Sequence, residues 1–201
     1  MPDGISQAPK RKEKYLRRQK EVYAAAAQVF AERGYHGAST TEIAKRLGVA
    51  QSTLYHYFAS KDEALEKVCL LGLEGYLDRL AAIVEGPGDT IAKIRDIVKS
   101  HIEPAVSIPD IVRTFHMERR YLPEERRLTI NAEIESYNRL LEKILEDGVE
   151  RSKLRPDLDC PLSALLLISL CNAAQSWINR KKWRDLAEAI SDNFLSGVAN
   201  E

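Results

Sequence analysis

Residues 39–61 read STTEIAKRLGVAQSTLYHYFASK, and this stretch decides the fold. It divides into two short helices, Thr40–Leu47 and Gln51–Phe58, joined by the turn Gly48-Val49-Ala50, which is a helix-turn-helix pattern. Ile43 and Leu47 stand four residues apart and face a core, and Ala44 is small where the two helices must approach closely. Gly48 can take the left-handed conformation that ends the first helix. Val49 fills the corner, while Leu54 and Phe58, again four apart, anchor the second helix from below. Gln51, Ser52, Thr53, Tyr55 and His56 are left outward on a short rigid rod, with donors, acceptors and aromatic edges suited to a DNA groove. Two capping boxes, Ser39-Thr40-Thr41-Glu42 and Ser60-Lys61-Asp62-Glu63, bracket the pair. Helices of about eight residues do not persist alone, so caps and packing must fix them.

Outward from this stretch the helical period continues. Val22, Ala26, Val29 and Phe30 form one stripe that Gly34 ends as a C′ residue. A long helix is predicted from Lys61 through Leu65, Val68, Leu73 and Leu80, broken only at Glu85-Gly86-Pro87-Gly88. Ile91, Ile94, Val98 and Ile102 mark the next helix, which stops before Pro104. Pro109 opens another through Leu122, and Pro123 opens one running to about Val149. Two closing helices are expected at roughly 161–180 and 183–198. No stretch alternates with period two for long enough to make a strand, so the expectation is an all-α chain of about nine helices.

The chain has 201 residues, 44% hydrophobic and 30% charged, a balance that excludes a disordered chain. Its 30 Lys and Arg offset 30 Asp and Glu, but unevenly. Residues 1–61 hold 11 basic against 5 acidic side chains, a net of +6, and residues 62–201 hold 19 against 25, a net of −6. That polarity points to a basic binding module joined to a different kind of domain. Three cysteines, Cys69, Cys160 and Cys171, cannot all pair and have no CxxC spacing, so no disulfide framework or structural zinc is expected. The first residues lack a signal-peptide apolar stretch, and the longest apolar run, Ala164–Leu170, is too short to span a bilayer. A cytoplasmic protein without a membrane partner is the expectation. No GxSxG, HExxH, phosphate-loop or dinucleotide fingerprint occurs, so an enzyme is not expected, and neither a cofactor nor a metal is called for. His116 and Glu118 are two apart, on different helix faces, and His101 stands alone on its helix.

The register of Phe30, Gly34-Tyr35, Ser39, Glu42-Ile43-Ala44, Gly48-Val49, Thr53-Leu54-Tyr55, Phe58, Lys61 and Leu65 resembles the TetR family of bacterial transcriptional regulators. The resemblance covers residues 20–66 specifically and the remainder through length and an all-α layout. Two positions depart from it. Ala38 and Ala50 stand where such proteins often carry Thr and Ser, and Ala50 cannot cap the second helix with a side chain, a loss of about 1 kcal/mol.

The resemblance implies a basic flexible arm at residues 1–18, a helix-turn-helix DNA-binding domain at 19–61, and a ligand-binding and dimerisation domain at 62–201. It implies a homodimer, paired through residues 161–198, whose second helices enter successive major grooves of a palindromic double-stranded operator. Gln51, Ser52, Thr53 and Tyr55 are the expected base contacts. His56, Tyr57 and Lys61, helped by Thr40 and Thr41, are the expected phosphate contacts. For Tyr57 packing competes with that role, and for the basic arm a merely solvating role competes with DNA contact.

The helix over 161–180 is apolar almost all round and must be covered on more than one side, by a partner copy or by a monomer core. Arg113, His116, Arg120, Tyr137, Asn172, Trp177 and Arg180 are the candidate effector contacts, with a salt bridge or surface aromatic as the bland reading of each. Trp177, Asn172 and Arg180 place an aromatic plane, an amide and a cation on neighbouring turns, which suits a ligand with an apolar body and an acidic group. The run His116–Pro123 and the Asn172…Trp177 pattern are similar to a branch of the family sensing CoA thioesters. The implied function is a ligand-released repressor. The alternatives are an accessory DNA-binding protein without an effector, and an efflux-type regulator of hydrophobic drugs.

Overall fold

The computed structural model describes residues 7–178 and 181–200. Among the described residues the chain is helical throughout, with nine helices of eight residues or more, two single turns of α-helix and one 3-10 turn. They fall into two compact units. The first takes the chain up to Gly72 together with Asp110–Arg127, and the second takes Leu73–Pro109 and the chain from Leu128 onward.

In the first unit α1 (Gln7–Gly37) leaves helical geometry at Gly34, with φ 67° and ψ 170°. The reading of residues 1–18 as a flexible arm therefore does not describe residues 7–18, which continue α1. Val22, Ala26, Val29 and Phe30 are buried along its inner stripe as the period required. α2 (Thr40–Leu47) starts where the Ser39 hydroxyl accepts from the Glu42 N–H. It stops at Gly48, whose φ of 65° is left-handed and whose N–H caps the Ala44 and Lys45 carbonyls. α3 is one turn, Gln51–Leu54, shorter than the sequence predicted. The Tyr57 N–H bonds the Leu54 carbonyl at 2.8 Å and the His56 N–H bonds that of Thr53, so the expected helix tightens after its first turn. Ala50 gives α3 no side-chain cap, as its missing hydroxyl dictates. α4 (Lys61–Leu73) opens on Ser60, whose hydroxyl accepts from the Glu63 N–H, while Glu63 reaches back to the Ala59 N–H at 2.7 Å.

The predicted helix from 61 to 85 is two helices. Gly75 sits at φ 75° and separates α4 from α5 (Tyr76–Glu85). A glycine costs only about 1 kcal/mol inside a helix, so a continuous apolar stripe hid the break.

The second unit is built around α6 (Thr90–Ile102), whose Ile94, Ile97, Val98 and Ile102 are buried. α5 packs on it, and so do α10 (Cys160–Ala174) and α11 (Trp183–Val198). α7 (Pro104–Ser107) is a single turn, and α9 (Glu124–Glu150) supplies Leu141, Ile144 and Leu145 to the same core. α10 ends at Ala174, six residues before the predicted end. The Ser176 hydroxyl takes the Ala173 carbonyl at 2.8 Å, and the Trp177 N–H bonds the Ala174 carbonyl one residue short of α-helical spacing. The one bridge among the described residues, Leu154 with Ala199, ties the turn after α9 to the end of α11. Cys69, Cys160 and Cys171 are buried and unpaired with each other. No helix among the described residues is long and apolar enough to cross a membrane.

Candidate nucleic-acid interface and effector region

α8 (Pro109–Glu118) and the 3-10 turn Arg119–Tyr121 belong with the helix-turn-helix almost entirely. The fully buried Thr114 hydroxyl donates to the Ala27 carbonyl of α1 at 3.1 Å. Arg126 pairs with Glu66 of α4. Tyr35 joins these parts. Its N–H donates to the Glu118 carboxylate at 2.7 Å, its hydroxyl donates to Asp62, and its ring stacks on Tyr121 with 5.7 Å between centroids. Burial, with the Asp62 bond second, pushes the Tyr35 hydroxyl up to about 12, so it stays a donor. Arg46 grips Glu32 through both oxygens, at 2.5 and 2.6 Å, which fixes α2 on α1.

On this frame the predicted DNA contacts separate into groups. Gln51, Ser52, Tyr55 and His56 are exposed, Tyr55 at 56% despite its large apolar ring. Thr53 is half-buried beside them. Gln51 donates to the Thr40 hydroxyl at 2.8 Å and accepts from Thr41 at 3.3 Å, so the side chains at the front of α2 and α3 are tied together. Such cross-bonding lowers the ordering cost when they meet a base or phosphate. Tyr57 is half-buried and stacks on Tyr15, 5.5 Å between centroids, while the Tyr15 hydroxyl donates to the His56 carbonyl. Tyr15 was missed in the sequence because a basic run hid the helical series Tyr15, Gln19, Tyr23. The structure shows that series as a Gln19–Tyr23 hydrogen bond and a Tyr23 bond to the Tyr57 carbonyl.

Lys61 is half-buried and partly committed. Its ammonium donates to the Tyr35 carbonyl at 2.8 Å and the Ala38 carbonyl at 3.2 Å, and lies 4.3 Å from the Tyr35 ring centroid. It closes the end of α1 with two of its three protons. We expect Lys61→Met to lower stability by about 1–2 kcal/mol, since two charge-assisted bonds leave carbonyls unpaired. Urea unfolding followed by far-UV circular dichroism checks this, and an unchanged midpoint would refute it.

In the second unit, two of the predicted effector residues meet through a third that the sequence left alone. His101 of α6 contacts the Tyr137 hydroxyl at 3.0 Å through Nδ1 and Asn172 Oδ1 at 3.1 Å through Nε2. All three groups are satisfied when Nε2 carries the proton and the Tyr137 hydroxyl donates to Nδ1. Burial holds His101 below its ordinary pKa, the Asn172 bond opposes this, and the nearby Arg79 charge reinforces it, so the ring is neutral. Tyr76 lies edge-on to His101 and donates to its backbone carbonyl at 3.2 Å. Trp177, in the turn after α10, is 40% exposed. Arg180 lies outside the described residues. Arg113, His116 and Arg120 belong to the first unit, where Arg120 bonds the Tyr121 hydroxyl and His116 lies edge-on to Phe115. No group of three or more metal-ligating side chains gathers among the described residues.

α10 also carries Leu162, Leu165, Leu166 and Leu170 outward, between 37% and 53% exposed. α11, which packs on α10, turns the small residues Ala189, Asn193, Ser196 and Gly197 outward, and a side chain added at Gly197 would meet nothing within 4 Å. An exposed apolar stripe of this kind suits a helix-packing interface.

Known proteins share both parts. Residues 22–68 match the family described as bacterial regulatory proteins, tetR family, and residues 87–198 match the tetracyclin repressor-like C-terminal domain. The chain is 28% identical over 186 residues to the HTH-type transcriptional repressor KstR2 of Rhodococcus jostii, covering 90% of this chain and 89% of that one. The solved structure of the TetR family transcriptional regulator PfmR from Thermus thermophilus is similar at a TM-score of 0.81 and 27% identity, over 87% of this chain and 97% of that one. The structure of FadR from Bacillus subtilis in complex with stearoyl-CoA shares the fold, with a TM-score of 0.75 and 22% identity over 89% and 98% of the two chains. With family matches over both the helix-turn-helix and the helical segment that follows it in sequence, this chain belongs to the TetR family of bacterial transcriptional regulators.

Proposed function

We propose that the chain is a cytoplasmic homodimeric repressor that binds a palindromic operator through α3 and releases it when an amphipathic acyl compound, a CoA thioester foremost, occupies the second unit. It acts by binding and not by catalysis. The observation that carries the reading is the exposed polar face of Gln51, Ser52, Tyr55 and His56, standing on the buried pair Leu54 and Phe58. In this reading Gln51, Ser52, Thr53 and Tyr55 meet base edges, and His56, Tyr57, Thr40, Thr41 and the free proton of Lys61 meet phosphates. The leucine stripe of α10 pairs with that of a second copy, so that two recognition helices address two half-sites. The effector class is supported by the partly buried polar relay of His101, Tyr137 and Asn172 beside a largely apolar core, and by the stearoyl-CoA held by the FadR relative. Release is a population shift, so the effector must bind the DNA-incompetent state more tightly.

Selecting bound fragments from genomic DNA gives the operator. On that operator Tyr55→Ala removes sequence preference, by about 1–3 kcal/mol at the base pair it reads, and leaves non-specific binding in place. Normal operator preference in Tyr55→Ala protein would place recognition elsewhere. A thermal-shift panel of acyl-CoA thioesters, free acids and hydrophobic cations then identifies the effector class, because a ligand at one hundred times its Kd stabilises by about 2.7 kcal/mol. Stabilisation by hydrophobic cations alone would favour the efflux-type reading. Intact operator binding with no stabilising ligand would favour an accessory protein.

A further inference from the structure

Three buried side-chain atoms among the described residues have no hydrogen-bond partner: Arg79 Nη2, Gln175 Nε2 and Arg127 Nε. All three are nitrogen donors, and the first two belong to the second unit. Buried donors are normally paired, so an orphan on Arg79 and another one helical turn from Asn172 call for a physical reason.

Arg79 of α5 lies against the relay. Its Nε donates to the Ser100 hydroxyl at 3.3 Å, and its guanidinium carbon sits 4.7 Å from the Tyr76 ring centroid. Tyr76 is in turn 5.2 Å from the His101 ring and 6.2 Å from that of Tyr137, centroid to centroid. Arg79 makes no ion pair with a carboxylate among the described residues. Gln175 closes α10 one helical turn beyond Asn172, whose Oδ1 meets His101. Tyr76 holds the His101 carbonyl, Tyr137 holds Nδ1, His101 holds Asn172 Oδ1, and Arg79 itself holds the Ser100 hydroxyl. One guanidinium nitrogen and one amide nitrogen thus stand without an oxygen to bind, beside a largely apolar core.

We propose that Arg79 and Gln175 form an anion anchor for the acidic oxygen group of an amphipathic ligand whose apolar body packs in the second unit. This rests on the reading that the second unit holds an acyl effector, and it specifies which atoms that effector must present. A guanidinium offers paired N–H donors matched to a carboxylate or a phosphate, and the neutral His101 relay holds Asn172 and Tyr137 in place without competing as a cation. A neutral ester lacks the charge that a half-buried guanidinium favours. The oxyanion can come from the carboxylate of a free acid or from the phosphates of a CoA thioester, and the ligand arms separate the two.

The test uses the full chain with palmitate, methyl palmitate, palmitoyl-CoA and free CoA, read by isothermal titration calorimetry and by thermal shift. Wild type binds at least one of the two acyl oxyanions about tenfold or more tightly than the methyl ester, as one charge-assisted bond predicts. Preference for palmitate assigns the anchor to a carboxylate, and preference for palmitoyl-CoA assigns it to phosphate. Arg79→Met removes that preference by weakening the oxyanion ligand about tenfold or more while sparing the methyl ester. Arg79→Lys restores part of it, and Gln175→Leu weakens it a few-fold. Equal binding of the methyl ester by wild type, or undiminished oxyanion binding by Arg79→Met protein, overturns the anchor. If acyl-CoA still releases the operator from Arg79→Met protein at the wild-type concentration, the anchor falls and the proposed function stands. If wild type binds none of the four compounds, both fall.

Discussion

Carrying Leu165→Glu and Leu166→Glu together, the chain sediments as a monomer and loses operator affinity by roughly 10²–10⁴-fold, the factor that linked half-sites contribute. Both leucines are about half exposed in the single chain, at 52% and 53%, on the stripe completed by Leu162 and Leu170. Burying a leucine against a second copy contributes about 1.5–3 kcal/mol. A glutamate there would have to be buried unpaired in the interface, twice over by symmetry, which reverses the sign of that contribution. The monomer itself should keep its helices, because surface substitutions away from special features usually cost less than about 0.5 kcal/mol. Analytical ultracentrifugation, far-UV circular dichroism and operator titration check the three parts. A substituted protein that stays dimeric would move the interface off α10.

The same leucines show what the sequence could convey. α10 read as apolar all round, and a helix of that kind is covered on two sides; the structure buries Ala164, Leu167 and Cys171 and turns the leucines out. The helix-turn-helix was legible for a similar reason. Its determinants are local: Ser39 bonds a residue three positions on, Gly48 caps carbonyls three and four positions back, and Leu54 and Phe58 share a helix face. The effector region was not legible in the same way. His101 stood alone on its helix because its partners, Tyr137 and Asn172, are 36 and 71 residues away. No periodicity links a histidine to a tyrosine and an asparagine on two other helices. Arg79 was hidden by the same distance, and also by being ordinary, since an arginine on an amphipathic helix reads as solvated unless its partners are known. Gly75 was missed because the stripe Leu73, Tyr76, Leu77, Leu80 runs on across it, and only the backbone angle shows that the helix has stopped.

Phe58→Ala should cost about 3–5 kcal/mol, the usual range for emptying a buried phenylalanine site. Phe58 is 2% exposed and lies four residues beyond Leu54, which is 1% exposed. A domain's total stability is about 5–15 kcal/mol, so this single change removes a large share of it. The consequence for function is sharper than the general loss. α3 is four residues long, has no side-chain N-cap at Ala50, and cannot persist on its own propensity. Its position on the frame depends on Leu54 and Phe58, so operator recognition is lost before the rest of the chain unfolds. Far-UV circular dichroism in urea should show a lowered midpoint, and operator titration below that midpoint should already show weakened specific binding. Tyr55→Ala is the control. Tyr55 is exposed, so its loss should alter recognition while leaving the urea midpoint in place. If Phe58→Ala protein unfolds at the wild-type midpoint, the anchoring of the recognition helix lies elsewhere. If Tyr55→Ala protein unfolds early, its ring is packing in the core and not waiting for DNA.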